Sequence, residues 1–411
     1  MKTCIYTILV SHMIKAELKK IWRSKILIVA LIVLVIFNIS KILSENMIAS
    51  DRTDFNTKRT QLYSSVEGTW DMDKIRFVTD TYNNALTVVS QGNYSTEPNQ
   101  PGTYTGYIFG DFSLFGEVRE KMEYMYNYEK FINKVVERAE NNITFYEGCG
   151  NEYAKRANEK IVKTYSQRKI DAFYDTEGAY KFIKYDFSSM MVLLLMMLAS
   201  GTIFTCEKTT EMRLILKSSK NGRNRLNFVK IVSGVISAEL IFLLFRLTDV
   251  LTFCSRFDIR CFGNQIYSIQ EFQNTPLSCT IGEYFIIDTG YKMLVILVME
   301  LLYLFISAVS VDEIISFCTA FAATILLILF CGDCNPLHLI SSRELFLEFE
   351  VFDILKFPVM KYNVLLIVNL LYVATLVILI LIHEKVFCCK HFIMRKKSVS
   401  EERSFSFDNR I

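Results

Sequence analysis

Four residues late in the chain are of the types that hold soft metals: His383, Cys388, Cys389 and His391, within "HEKVFCCKH". Thiolates and imidazoles bind zinc or copper(I). Adjacent cysteines do not give the spacing of a tetrahedral structural site, and the cluster directly follows an apolar run, so a pair of thiols beside a membrane is the better reading and no metal is expected. Cys331-Gly-Asp-Cys334 has C-x-x-C spacing, but no βαβ pattern surrounds it. A local disulfide or two free thiols fits it better than a redox centre. His383–Glu384 opens like H-E-x-x-H, yet Phe387 stands where the second histidine belongs. The sequence also lacks G-x-x-x-x-G-K-[ST] and G-x-S-x-G. No catalytic residue is assigned, no cofactor is expected on this chain, and an enzyme is the disfavoured class.

Charges inside apolar runs are more informative. Glu239, Arg246 and Asp249 interrupt Ile231–Leu251, and Glu300 interrupts Met293–Val309. Such residues are costly in hydrocarbon and face a partner or a wet cavity. Glu239 and Arg246, seven apart, share a helix face. Glu239 and Glu300 fall at a similar depth, roughly 12–14 Å from the same side at ~1.5 Å per residue. Arg246 sits higher and could reach either acid by snorkelling. Two readings stand: an interhelical ion pair that fixes packing, or a polar lining for a translocation path or subunit seam.

The elements that must position these charges are six apolar blocks: Ile26–Leu43, Phe187–Phe204, Ile231–Leu251, Met293–Val309, Ile314–Phe330 and Val364–Ile382. Each approaches the ~20 residues that cross a bilayer as a helix. The first follows a segment containing Lys2, Lys15, Lys19, Lys20, Arg23 and Lys25 and precedes no small-x-small cleavage pattern, so it reads as a retained span. Segment 206–230 holds seven Lys and Arg against two Glu, whereas 252–290 holds two basic and four acidic residues and 331–363 three and five. Positive-inside asymmetry then puts both termini in the cytoplasm and Cys149, Cys254, Cys261, Cys279, Cys331 and Cys334 on the outer side, where bridges form in an oxidising compartment. The net charge of +3 conceals this asymmetry.

Between the spans, residues 1–25 contain an amphipathic helix over 8–24, with Ile14, Leu18, Ile21 and Trp22 on one face. Residues 45–186 are too polar to span and too long for a loop, and "FGEVREKMEYMYNYEKFINKVVERAE" has helical periodicity, with Met122, Tyr126, Phe131 and Val135 at three- to five-residue spacing. A second helical stretch, "NEYAKRANEKIVKTYSQRKIDAFY", follows a turn at "EGCGN", and "YSTEPNQPGTYTG" is a turn-rich break. In 331–363, Leu345, Leu347, Phe349, Phe352 and Leu355 suggest short helices on the outer surface. The expected fold is all-α: a first span over 26–44, a mainly helical extracytoplasmic domain over 45–186, a five-span core over 187–382, and a basic cytoplasmic tail over 383–411.

The segment 206–230 carries a family resemblance. Phe204-x-x-Glu207, the stretch "MRLILKSSKNGRNRLNFVK" with Ser218–Ser219 and Arg223, and Lys230 opening the next span resemble the ABC-2 type transporter permeases. The amphipathic start, the insert containing "YSSVEGTWDMDKIRFVTDTYNNAL" and "NTPLSCTIGEYFII" are similar in order to such permeases. The resemblance implies a coupling helix that docks into a separate ATPase subunit, with Glu207, Glu211, Met212, Arg213, Leu214 and Arg223 as docking or positioning residues. It also implies ATP and Mg on that partner, a homodimer or sister permease, surrounding membrane lipid, no nucleic acid, and a bacterial cytoplasmic membrane. Peptides, drugs, lipids and ions are all substrates the family admits. The competing class is a membrane receptor whose domain 45–186 binds a ligand and signals through a cytoplasmic partner.

Overall fold

The computed structural model of the chain describes residues 2–45, 53–90, 108–210, 225–257, 260–330 and 335–408. Helix α1 (Lys2–Ile21) is separated from α2 (Lys25–Glu45) by a break at Trp22–Ser24, where the Ser24 hydroxyl accepts from the Leu27 amide. A side-chain oxygen placed there satisfies one of the amides that a helix start leaves without an internal partner. The amphipathic segment is therefore a helix distinct from the apolar one, and it packs along α9 (below) with Ile21 buried.

A helical cap follows, made of α3 (Thr53–Val66), α4 (Met72–Ser90), α5 (Ile108–Gly148) and α6 (Glu152–Tyr165). Two-residue strands, β1 (Gly68–Thr69) and β2 (Ala172–Phe173), pair antiparallel across it. On α5, Leu114, Val118, Met122, Met125, Tyr128 and Ile132 recur at three- and four-residue spacing and are all buried. That stripe is what a helix needs to bind its neighbours on one face. The turn at "EGCGN" ends α5 with Gly150 at φ +66°, and the Asn151 side chain accepts from Ala154 N at 3.1 Å to start α6. Helix α6 stops at Tyr165, earlier than the helical stretch expected from sequence, because Gln167 turns left-handed at φ 67° and the chain enters β2.

Helix α7 (Glu177–Lys184) then leads to α8 (Phe187–Thr209), α9 (Arg225–Cys254), α10 (Ile281–Val309) and α11 (Glu313–Phe330). After α12 (Arg343–Phe346), the hairpin β3 (Val351–Ile354)/β4 (Phe357–Met360) precedes α13 (Lys361–Asp408). Five stretches among the described residues are long and apolar enough to cross a membrane: Lys25–Ser44, Glu177–Thr209, Arg225–Cys254, Ile281–Val309 and Lys361–Val386. The chain is an all-α membrane-type protein. The expected fifth block is a shorter apolar helix, Glu313–Leu329, and so does not join them. The most apolar windows of α8 and α10 are 72% and 61% buried, against 17% for those of α2 and α13, so α8 and α10 are the centre of the bundle.

Two further expectations are corrected. The fourth block starts not at Met293 but at Ile281, where Thr280 and Glu283 form a reciprocal capping box. Its first turns hold Asp288 and Lys292, which break the apolar run but are paired in the fold. Phe352 and Leu355 lie in a hairpin rather than a short helix, with Leu355 and Lys356 both at positive φ in the turn. A two-residue turn with both residues left-handed matches the twist of antiparallel strands.

Loops bind the cap to the bundle. Tyr124 and Tyr128 hydroxyls donate to the Tyr267 and Gln273 carbonyls at 2.8 and 3.2 Å, and Tyr165 donates to that of Asn274. Arg168 donates to the carbonyls of Thr275 and Leu277 and to the Ser278 hydroxyl, while its guanidinium lies over Tyr165 and Tyr267. The hairpin is held by Lys160, which donates to the Pro358 carbonyl at 3.0 Å.

Candidate functional site

The bundle has two ends, one beneath the cap and one at α1 and the termini of α8 and α9, here called the basic end. At the basic end Glu207, on the last turns of α8, meets Lys230, near the start of α9, at 2.6 Å. Lys230 is 2% exposed and Glu207 is also buried; Lys20 on α1 approaches the same carboxylate at 3.6 Å. A buried carboxylate and ammonium are tolerable only as a pair, and removing one strands the other at a cost of about 3–5 kcal/mol. Next to it, Lys208 donates to the carbonyls of Ser307, Ala308 and Ser310. Three carbonyls at the C-terminal end of α10 thereby gain a cation where the helix dipole favours one.

Of the residues the resemblance singles out, Glu207 alone lies in the described part; Glu211, Met212, Arg213, Leu214 and Arg223 lie outside it. Both ends of 206–230 continue the flanking helices, α8 to Thr209 and α9 from Arg225. Glu207 faces the helices and not solvent, as positioning requires and docking does not.

Halfway along the bundle the acids Glu239 and Glu300 are neighbours on α9 and α10. Glu300 is 1% exposed and, among the described residues, neither of its carboxylate oxygens has a hydrogen-bond partner; the same holds for Glu239 Oε2. The close approach depends on Gly234, where a Cβ would stand 2.8 Å from Glu300 Oε1 and 3.0 Å from Leu304. The Tyr303 hydroxyl, three residues on, is instead bonded to Thr324 on α11 at 2.8 Å.

Beneath the cap the charges of Arg246, Asp288, Lys292 and Asp186 are matched. Arg246 pairs with Asp288, and Lys292 bridges Asp288 at 3.3 Å and Asp186 at 3.0 Å. Ser341 and Ser342 donate to Asp186 and Asp288, which ties the segment after α11 into the network. The Arg246 guanidinium also lies 4.6 Å from the ring centres of Phe182 and Phe285. The partner of Arg246 is thus Asp288, and not Glu239 or Glu300, because Arg246 is nearly two turns nearer the cap and an acid stands beside it there. Asp249 accepts from Asn38 on α2 at 2.6 Å, and Asn38 in turn accepts from the Tyr185 hydroxyl at 2.7 Å.

Sequence reasoning placed Glu239 and Glu300 at a similar depth and missed Asn38, Asp186, Asp288 and Lys292. The available signal was the i, i+4 spacing of Asp288 and Lys292, which places acid and base on one helix face. Of the cysteines expected outside, Cys149, Cys254, Cys261 and Cys279 are described; Cys149, Cys254 and Cys279 are free thiols, and burial pushes that of Cys279 up to about 11. Cys331 and Cys334 lie outside the described residues, as does the break "YSTEPNQPGTYTG"; the side chains of Cys388, Cys389 and His391 are not described either. The fold and these polar layers define a helical membrane protein. The chain matches no family model, no curated protein and no solved structure.

Proposed function

We propose that the chain is the permease subunit of an ATP-driven ABC-2 type exporter, which couples ATP hydrolysis on a separate subunit to movement of a substrate across a bacterial cytoplasmic membrane. The observation that carries the reading is the Glu207–Lys230 pair with Lys20 beside it. It fastens α8, α9 and α1 together close to the ends of α8 and α9 that segment 211–224 connects in sequence. A push on that segment is delivered to three helices at once. In this reading α11 crosses as a short sixth span, both termini are cytoplasmic and the cap is extracytoplasmic. Two copies, or one copy and a sister permease, line the path, and Glu239, Arg246, Asp249 and Glu300 belong to its polar interior. Peptides, drugs, lipids and ions remain the substrate classes.

The test is affinity purification of the full chain from its native membrane, with bound proteins identified and ATP hydrolysis assayed. The expected result is a P-loop ATPase that is lost on Leu214→Asp while membrane insertion persists. Recovery of a kinase or protease, with no ATP hydrolysis, would replace the exporter by the receptor reading and make 45–186 the ligand-binding unit.

A further inference from the structure

A cavity of about 210 Å³ lies under the cap, between α7 and the facing ends of α9 and α10. Its walls include Phe182, Phe253, Phe257, Phe262 and Phe285, and the only lining side chain that is not hydrocarbon is the Cys254 thiol. Apolar cavities of ~150 Å³ stay dry and take up molecules such as benzene, so this one is large enough for an apolar guest and offers water almost nothing. Gly178 and Gly282 also line it, without side chains. At Gly178 a Cβ would lie 2.4 Å from Phe257, so that ring rests against the bare backbone of α7.

Two surroundings indicate what the guest is. Along α9 and α10, the neighbouring Leu247, Leu251 and Ile286 are 56%, 61% and 69% exposed, so the cavity adjoins an apolar surface suited to lipid. Close to the lining residues along the chain are cations. Lys181 lies 5.3 Å from the Phe257 ring centre and pairs with Glu177, and Lys184 and Arg256, each within two residues of a lining residue, are exposed with no ion pair among the described residues. Apolar walls with such cations near them in the chain, at the end of a membrane-spanning bundle, suit a molecule with a hydrocarbon chain and an anionic head.

We propose that this cavity binds one acyl chain of an anionic phospholipid, with the phosphate near Lys184 and Arg256. The chain enters between the ends of α9 and α10 and lies against Phe182 and Phe285, the rings that also meet the Arg246 guanidinium. Lipid thus fills the joint between α7 and the ends of α9 and α10, next to the ion network of Arg246, Asp288 and Lys292. The inference rests on the membrane location of the helices and not on an ATPase partner, so either can fail without the other.

The test places the full chain in bilayer nanodiscs containing phosphatidylglycerol with a photoactivatable diazirine on one acyl chain, and maps adducts by mass spectrometry. The expected result is saturable labelling at Phe253, Cys254 and Phe257 that excess unlabelled phosphatidylglycerol removes. Filling the cavity with Val250→Trp, or with Ala179→Leu as the milder variant, lowers that labelling about tenfold, a ~1.4 kcal/mol loss of occupancy. Labelling of Leu247 and Leu251 stays constant and reports that the helices are still embedded. Lys184→Gln with Arg256→Gln removes the preference over phosphatidylcholine. Cavity labelling that does not saturate, that survives both filling variants, or that is equal with a phosphatidylcholine probe would overturn the proposal.

Discussion

The charges beneath the cap and the charges halfway along the bundle are equally out of water, yet they are treated in opposite ways. Asp288 has Arg246, Lys292 and Ser342; Glu300 has, among the described residues, no hydrogen-bond partner on either oxygen. A buried acid with cations and hydroxyls around it holds helices in one arrangement. A buried acid without them costs stability, and no hydrogen bond or ion pair to Glu300 offsets that cost. The comparison separates residues that build the bundle from residues whose presence has to be explained by what the bundle does.

The most damaging way to probe that contrast is Asp288→Asn, which strands Arg246 and leaves Lys292 with Asp186 alone. Thermal unfolding in detergent should show a loss of about 3–5 kcal/mol; an unchanged midpoint would mean that the paired layer is not structural. Glu207→Gln should cost nearly as much by stranding Lys230, about 3 kcal/mol, and Glu207→Leu combined with Lys230→Met should recover most of it. Failure of the double variant to recover would show that the pair itself, and not its charge balance, is needed. A smaller effect is expected from Gly234→Val, since a side chain there meets Glu300 and Leu304; overpacking of this kind costs ~1–3 kcal/mol. Glu300→Gln removes no partner, so its unfolding midpoint should stay level or rise by under ~1 kcal/mol, while transport or assembly changes. Normal transport with normal assembly would return Glu300 to the merely tolerated. The mildest test leaves the bundle intact. With its thiol pushed up to about 11, Cys279 should alkylate more slowly at neutral pH than the exposed Cys149, and the gap should narrow as pH rises toward 11, because the thiolate is the reactive form.

Much of the bundle was legible in the sequence because a run of hydrocarbon side chains long enough to cross a bilayer has few other uses. The start of α10 was not, since Asp288 and Lys292 look like loop residues until Arg246 and Asp186 are placed beside them. Helix α5 was readable from its periodicity, but its buried face was not: of Met122, Tyr126, Phe131 and Val135 only Met122 is buried, and Tyr126 and Phe131 are exposed. The turn at Leu355–Lys356 was hidden because neither residue is the glycine or asparagine that usually marks a left-handed pair. At the candidate site, the depth of Glu239 and Glu300 followed from counting residues along two helices. The choice of partner for Arg246 did not, because it depends on how far α10 extends toward the cap. The buried Lys230 was read as part of a charged loop, since its contact with Glu207 forms only when α8 and α9 run past the apolar blocks on both sides.

The short helix α11 has its own consequence for the surroundings. The described part of α11, Glu313–Phe330, is 18 residues, or ~27 Å of helix, against the ~30 Å hydrocarbon layer of an ordinary bilayer. If it crosses, acyl chains beside it must shorten or tilt, at fractions of a kcal/mol per ångström. The protein would then sit in a dimple of its own making and would respond to the length of the lipids around it.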